Sequence, residues 1–241
     1  MKPILFISDL HLSAERPRIN QLFFDFLENI APSAEALYIL GDLFEYWAGD
    51  DDLAAPLHTD VVQRLSRLQS LGVPVYLMHG NRDFLIGEAF AKAAGLTLLP
   101  DSTLLTLYGV PTLLLHGDTL CTDDTRYLAF RAQVRSTAWQ RDFLAKPLAE
   151  RKMIIEKLRQ ESEMEKGAKP SEIMDVNPDT VTELLREYGY PQLIHGHTHR
   201  PASHQHAVDG HTCTRWVLPD WYESGGYLSC DETGCKAISL R

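Results

Sequence analysis

Five short segments of this chain place carboxylate, imidazole and carboxamide groups where buried strands would end. They are Asp9-Leu10-His11, Gly41-Asp42, Gly80-Asn81-Arg82-Asp83, His116-Gly117-Asp118 and His195-Gly196-His197-Thr198-His199. Asp, Asn and His are ligands that suit manganese, iron or zinc, and the absence of Cys from the set argues against a purely structural zinc site. A carboxylate such as Asp42 can bridge two cations about 3.5–4 Å apart, a pair that clamps the attacking and leaving oxygens of a phosphoryl group. Water activated between the cations is then the nucleophile, and no side chain need attack. Each segment alone has a plainer explanation: Asp9 as a helix N-cap, Asp42 or Asn81 as a turn residue, His116 as a hydrogen-bonded core group. All five in order point to a two-metal phosphoesterase acting on a phosphate ester or anhydride.

These groups must be carried by strands and helices. Ile4 to Ser8, Leu37 to Leu40, Val75 to His79 and Thr112 to His116 are apolar runs ending in polar or glycine-containing turns, and they read as buried strands. Helix-period segments, Gln21 to Ile30 and Leu57 to Leu71, separate the first three, which predicts α/β layering. Ligands at the carboxyl ends of such strands converge. Beyond Tyr190, strand-like stretches at 192–195, 204–208, 213–218, 226–230 and 236–240 predict a second, largely antiparallel sheet, with Asp209-Gly210 as a hairpin turn.

From Thr122 to Pro170 strand signals vanish, and apolar residues between Leu128 and Leu158 recur at helix-compatible spacing with Pro147 as a break. This predicts a helical insertion of two or three helices at 122–170 within a core made of 1–121 and 171–241. The insertion carries 11 Lys+Arg against 8 Asp+Glu in a chain of net charge −10, so a basic lobe sits on an acidic body and invites an anionic ligand.

The 241 residues suffice for one sizeable core with an inserted subdomain, and 44% hydrophobic and 23% charged residues place the chain among globular proteins. The negative charge argues against binding nucleic acid through the whole surface. No apolar run reaches the roughly 20 residues of a membrane span, nor does the amino terminus read as a signal peptide, so a cytoplasmic monomer is expected. Cys121, Cys213, Cys230 and Cys235 lack zinc spacing and are expected as reduced thiols; Cys230 and Cys235 could pair only in an oxidising compartment.

The pattern D-x-H, G-D, G-N-[HR]-[DE], a separate His-Gly and G-H-x-H resembles the calcineurin-like metallophosphoesterase superfamily. That resemblance implies a two-sheet αββα sandwich with the insertion as a lid. It also implies two divalent ions, with Mn²⁺ the expected metal. Asp9, His11, Asp42 and His199 would hold one, and Asp42, Asn81, His116 and His197 the other. Where most of the superfamily has G-N-H-[DE], this chain has Arg82, which cannot donate a proton at neutral pH but can orient phosphoryl oxygens bidentately. Arg82 therefore suits a diphosphate better than an alkyl phosphoester.

The runs Ile173-Met174-Asp175-Val176-Asn177, His195 to Pro201 and Leu218-Pro219-Asp220-Trp221-Tyr222 resemble the UDP-2,3-diacylglucosamine diphosphatases of lipid A biosynthesis. The resemblance implies water attack at the α-phosphorus, giving UMP and 2,3-diacylglucosamine 1-phosphate. It implies catalytic roles for Asp42, Asn81, Arg82 and His116, and substrate contacts from Asn81, Arg82, Asp124, Ser162, Lys166, Lys169 and His197. It also implies peripheral attachment to the cytoplasmic face of the inner membrane. Arg126, Arg131, Arg135, Arg141, Arg151, Lys152, Lys157 and Arg159 could approach anionic lipid there. A generic nucleotide or phosphoprotein phosphoesterase is the alternative on the same site, and a non-catalytic metal-binding scaffold the alternative of another class. A scaffold has no chemical need for seven such ligands.

Overall fold

A computed structural model describes residues 2–166 and 175–240, the side chains of 161–166 excepted. The amino-terminal half alternates strand and helix: β1 (Ile4–Ile7), α1 (Pro17–Asn29), β2 (Ala36–Leu40), α2 (Pro56–Ser70), β3 (Val75–Met78), α3 (Glu88–Ala94), β4 (Thr97–Leu99), β5 (Ser102–Leu107) and β6 (Val110–Leu115). Three helices follow, α4 (Thr125–Val134), α5 (Thr137–Leu144) and α6 (Leu148–Lys166). Then come α7 (Pro178–Glu187), β7 (Gln192–His195), β8 (Ala202–Val208), β9 (His211–Val217), β10 (Gly225–Asp231) and β11 (Gly234–Leu240).

The strands form two sheets, one ordered β11-β10-β1-β2-β3-β4 and the other β5-β6-β7-β9-β8. Side chains alternate across each strand, and that alternation splits the core in two. Leu5 and Ile7, Leu37 and Ile39, and Val75 and Leu77 face the layer of α1, α2 and α3, where Phe23, Leu65 and Phe90 are buried. Phe6, Leu40 and Met78 point the other way and meet Leu113, Leu193 and Ile194 of the second sheet, while Val181 and Leu185 of α7 join the same cluster. The result is the expected αββα sandwich, with strands apolar on both faces because both are covered. Each fully buried Phe or Leu side chain contributes about 1.5–3 kcal/mol.

The carboxyl-terminal strands do not make one sheet. β10 pairs antiparallel with β1, through Ile4 with Cys230, Leu5 with Ser229 and Phe6 with Leu228, so β10 and β11 extend the first sheet. The second sheet is mixed, since β7 runs parallel to both β6 and β9. Period-2 patterning identifies a strand and its buried face, but Leu228 and Cys230 satisfy the inter-sheet core from the first sheet as well as they would from the second. The cysteine expectation also needs correction: Cys230 and Cys235 face each other across the β10–β11 hairpin and are disulfide-bonded, while Cys121 and Cys213 are free and buried.

α6 begins immediately after Pro147, and α4 and α5 start from side-chain caps at Asp124 and Ser136. Much of the basic charge in these helices is directed at the acidic body. Arg131 pairs with Asp118 and Asp101, Arg151 with Asp51, Lys152 with Asp52 and Arg159 with Glu45, and Arg135 donates to the Gly80 carbonyl. The opposite charges read from the sequence thus serve partly to dock the helices on the body. No described helix is long and apolar enough to cross a membrane.

Candidate metal centre

Strand ends deliver every candidate ligand to one edge of the sandwich: Asp9 and His11 follow β1, Asp42 follows β2, Asn81 β3, His116 β6, and His197 and His199 β7. Backbone hydrogen bonds stitch the loops together, with Asp9 N to Gly41 O at 3.1 Å, His11 N to Asp42 O at 3.0 Å and Gly196 N to His116 O at 2.8 Å. Asp9, His11, Asp42, His197 and His199 all have φ between 49° and 68°. A non-glycine residue held there costs on the order of 1–3 kcal/mol, and such strain concentrates where geometry serves function. Gly196 allows the close approach: a Cβ added to it would lie 2.2 Å from Asp9 Oδ2 and 2.3 Å from Ser8 Oγ, both on fully buried residues. Gly196→Ala is therefore expected to displace Asp9 and reduce bound metal by at least about tenfold, as measured by metal titration of the folded variant.

Two overlapping donor clusters result, Asp9 with His11 and His199, and Asp9 with Asp42 and His116. The imidazole nitrogens His11 Nε2 and His199 Nε2 face each other at 3.4 Å, and His199 Nε2 lies 3.4 Å from Asp9 Oδ1. Asp42 Oδ2 stands 3.7 Å from both His11 Nε2 and His116 Nε2 and so connects the two sides. Asn81 Oδ1 completes the second side, 3.0 Å from His116 Nε2 and 2.9 Å from His197 Nδ1. The second oxygen of Asp9, Oδ2, accepts from Ser8 Oγ and His197 N, whereas Oδ1 is buried without a hydrogen-bond partner. An orphaned carboxylate oxygen facing converged imidazoles fits a cation, and the all N/O donor set fits a divalent one.

Neighbouring groups leave the right nitrogens bare. His116 Nδ1 is 2.8 Å from Leu40 O, to which it donates, so Nε2 keeps its lone pair toward Asp42 and Asn81. His11 Nδ1 lies 3.0 Å from Glu45 Oε2, which leaves its Nε2 for the site. Burial opposes charge here, yet the Asp42, Asp9 and Asp118 carboxylates raise the His116 pKa to about 9, because a proton offsets negative charge that a cation would otherwise neutralise. Burial also works against Asp9, but the nearby His199 imidazole and the charges of His116 and His11 hold it well below the carboxylate range. Burial lowers His197 to about 4, with His116 adding repulsion.

Glu45 carried no signal in the sequence. It belongs to the loop after β2, and only the fold brings it to His11, Arg82 and Arg159; burial would raise its pKa, but His11 and the two arginines lower it to about 2. A carboxylate on the far nitrogen of a ligating His fixes the ring and raises its basicity. Glu45→Gln is expected to weaken metal binding by about 10–100-fold while leaving the far-ultraviolet circular dichroism unchanged.

Arg82 lies at the rim. Its backbone N donates to Asp42 Oδ1 at 2.8 Å, and its guanidinium is 3.8 Å from Glu45 Oε1, which Arg159 of α6 also approaches at 3.2 Å. Asp83, fully buried, accepts from Leu43 N and Gly80 N and locks the turn bearing Asn81 and Arg82 to the turn bearing Asp42. Tyr127 of α4 stacks toward His197 at 6.0 Å between centroids and donates to Asp118 at 2.5 Å. Tyr222 lies 5.3 Å from the His11 ring and 5.2 Å from that of His199. Asp124 caps α4 by accepting from Tyr127 N. Lys169 and the side chains of Ser162 and Lys166 lie outside the described residues.

Residues 2–201 match the family model described as calcineurin-like phosphoesterase. The chain belongs to that family. Membership and donor set together support divalent-metal binding, and this edge of the sandwich brings together the groups that could hold the metal. The chain is 56% identical to the UDP-2,3-diacylglucosamine hydrolase of Aromatoleum aromaticum, over 98% of this chain and 96% of that relative. It is 51% identical to the enzyme of the same name from Cellvibrio japonicus, over 95% of each, and 49% identical to that from Hahella chejuensis, over 99% and 98%.

Proposed function

We propose that this phosphoesterase hydrolyses the diphosphate bond of UDP-2,3-diacylglucosamine, with water attacking the α-phosphorus to give UMP and 2,3-diacylglucosamine 1-phosphate, a step in lipid A biosynthesis. The observation that carries the reading is identity of about half or more, over nearly the whole length, to relatives bearing that name. Asp9, His11, Asp42 and His199 would hold one metal, and Asp42, Asn81, His116 and His197 the other. Both are Mn²⁺ in this reading. Two such ions, when bound, supply Lewis acidity at the phosphoryl oxygens and lower the pKa of water.

The chain's own groups do the rest. Asp42 spans both cation positions, and the Asn81 carboxamide and the His116 and His197 rings define the corner where the α-phosphoryl group sits. Arg82 presents its fork to the non-bridging oxygens and offsets charge on the departing phosphate, a leaving group that needs little protonation. Residues 122–170 serve as a lid over the core of 1–121 and 171–241, with Asp124, Ser162, Lys166 and Lys169 contacting the substrate. Exposed Phe130, Leu144 and Met153 on the lid helices support contact with acyl chains or a bilayer. In this reading the protein works as a monomer, peripherally bound at the cytoplasmic face of the inner membrane.

Metal-loaded protein incubated with UDP-2,3-diacylglucosamine in mixed micelles should release UMP at a rate that collapses on chelation and recovers on adding Mn²⁺. Absence of turnover in fully loaded, folded protein would overturn the substrate assignment.

A further inference from the structure

Beyond the metal ligands, where β8 and β9 meet the loop after β7, lies a cavity of about 270 Å³ lined by Asp175, Thr198, Arg200, His204, Arg215 and Val217 among others. Arg215 is only 6% exposed. Its Nε donates to His206 Nε2 at 3.1 Å and its Nη1 to His195 Nε2 at 3.0 Å. His195 gives its other ring proton to Gly196 O at 2.8 Å, so it meets the guanidinium as a neutral acceptor. Among the described residues no carboxylate comes within ion-pair distance of Arg215. The one carboxylate in the lining, Asp175, is taken up by Arg200 at 2.5 Å and by Val176 N at 2.8 Å. The Thr198 hydroxyl is buried with no hydrogen-bond partner.

A guanidinium withdrawn from water and hydrogen-bonded only to imidazoles is compensated only at a distance by Asp175, and an unpartnered hydroxyl adds an unmet donor beside it. Arg215 and Thr198 both line the cavity. We propose that this cavity is a binding site for a phosphate-type oxyanion, accepting from Arg215, Arg200 and Thr198. The volume suits a single tetrahedral anion more than a whole nucleotide. Thr198 lies between His197 and His199, so an anion seated there braces the loop that carries two metal ligands. The ligand is free inorganic phosphate or the phosphate end of a phosphomonoester. The site does not depend on the substrate assigned above.

Equilibrium dialysis of labelled inorganic phosphate against Mn²⁺-loaded protein, cleared of excess metal, tests this. Wild type should bind two phosphates per chain, one at the metals and one here. Arg215→Gln and Arg200→Gln should each weaken one of the two at least tenfold and leave the other unchanged. Arg200 is largely on the surface, so its variant decides the matter if Arg215→Gln fails to fold. Displacement of the Arg215-dependent phosphate by methyl phosphate identifies a phosphomonoester as the occupant, and retention under saturating methyl phosphate identifies the free anion. One phosphate per wild-type chain, or two whose affinities neither variant alters, would overturn the site.

Discussion

Asp42→Asn is expected to lower turnover by roughly 10³-fold, about 4 kcal/mol of barrier, and to reduce the bound divalent metal, from two ions to at most one if both proposed sites fill. The size follows from its position. Asp42 Oδ2 is equidistant, at 3.7 Å, from His11 Nε2 on one side and His116 Nε2 on the other, so one carboxylate lies between the two sides of the site. Asn preserves the shape and can still accept from Arg82 N through Oδ1, the 2.8 Å bond that ties the two turns. What it removes is negative charge between two dications, where a bridging carboxylate offsets their repulsion. Metal analysis beside steady-state kinetics checks this: full metal content with a small rate loss would show that Asp42 does not bridge.

Arg82→Lys and Arg82→Ala should both lower kcat by about 10²-fold with smaller changes in KM, because the guanidinium meets charge that grows toward the transition state. Lys keeps the charge and loses the planar fork, so near-wild-type activity in that variant would reduce the role to a point charge. Arg82→His separates the two leaving-group chemistries. It should impair diphosphate hydrolysis while improving, relative to it, a phosphodiester whose leaving oxygen needs a proton. Kinetics on both substrate types read out the ratio.

The candidate ligands' convergence at strand ends was legible in sequence because Asp42, Asn81, His116 and His197 each sit beside a glycine after a short apolar run, Asp9 and His11 follow such a run directly, and parallel strands bring their carboxyl ends to one edge. Helices α1 and α2 were legible from their apolar spacing. α7 was missed although Asn177-Pro178 is a start signal, with the Asn177 side chain capping two backbone N–H groups. β5 was missed although Ser102–Leu107 alternates exposed and half-buried residues. The assignment of β10 to the first sheet was not legible, since patterning does not name a strand's partner. Glu45 and Tyr222 were not legible as site residues for a different reason: neither lies in a ligand-type motif, and each meets His11 only through a loop path that the packed core dictates.

Hydrolysis of UDP-2,3-diacylglucosamine by the Mn²⁺-loaded protein in ¹⁸O-water, followed by mass spectrometry of both products, tests the proposed reaction most directly. Attack at the α-phosphorus places one ¹⁸O in UMP and none in 2,3-diacylglucosamine 1-phosphate. Label in the lipid product, with unlabelled UMP, would contradict it.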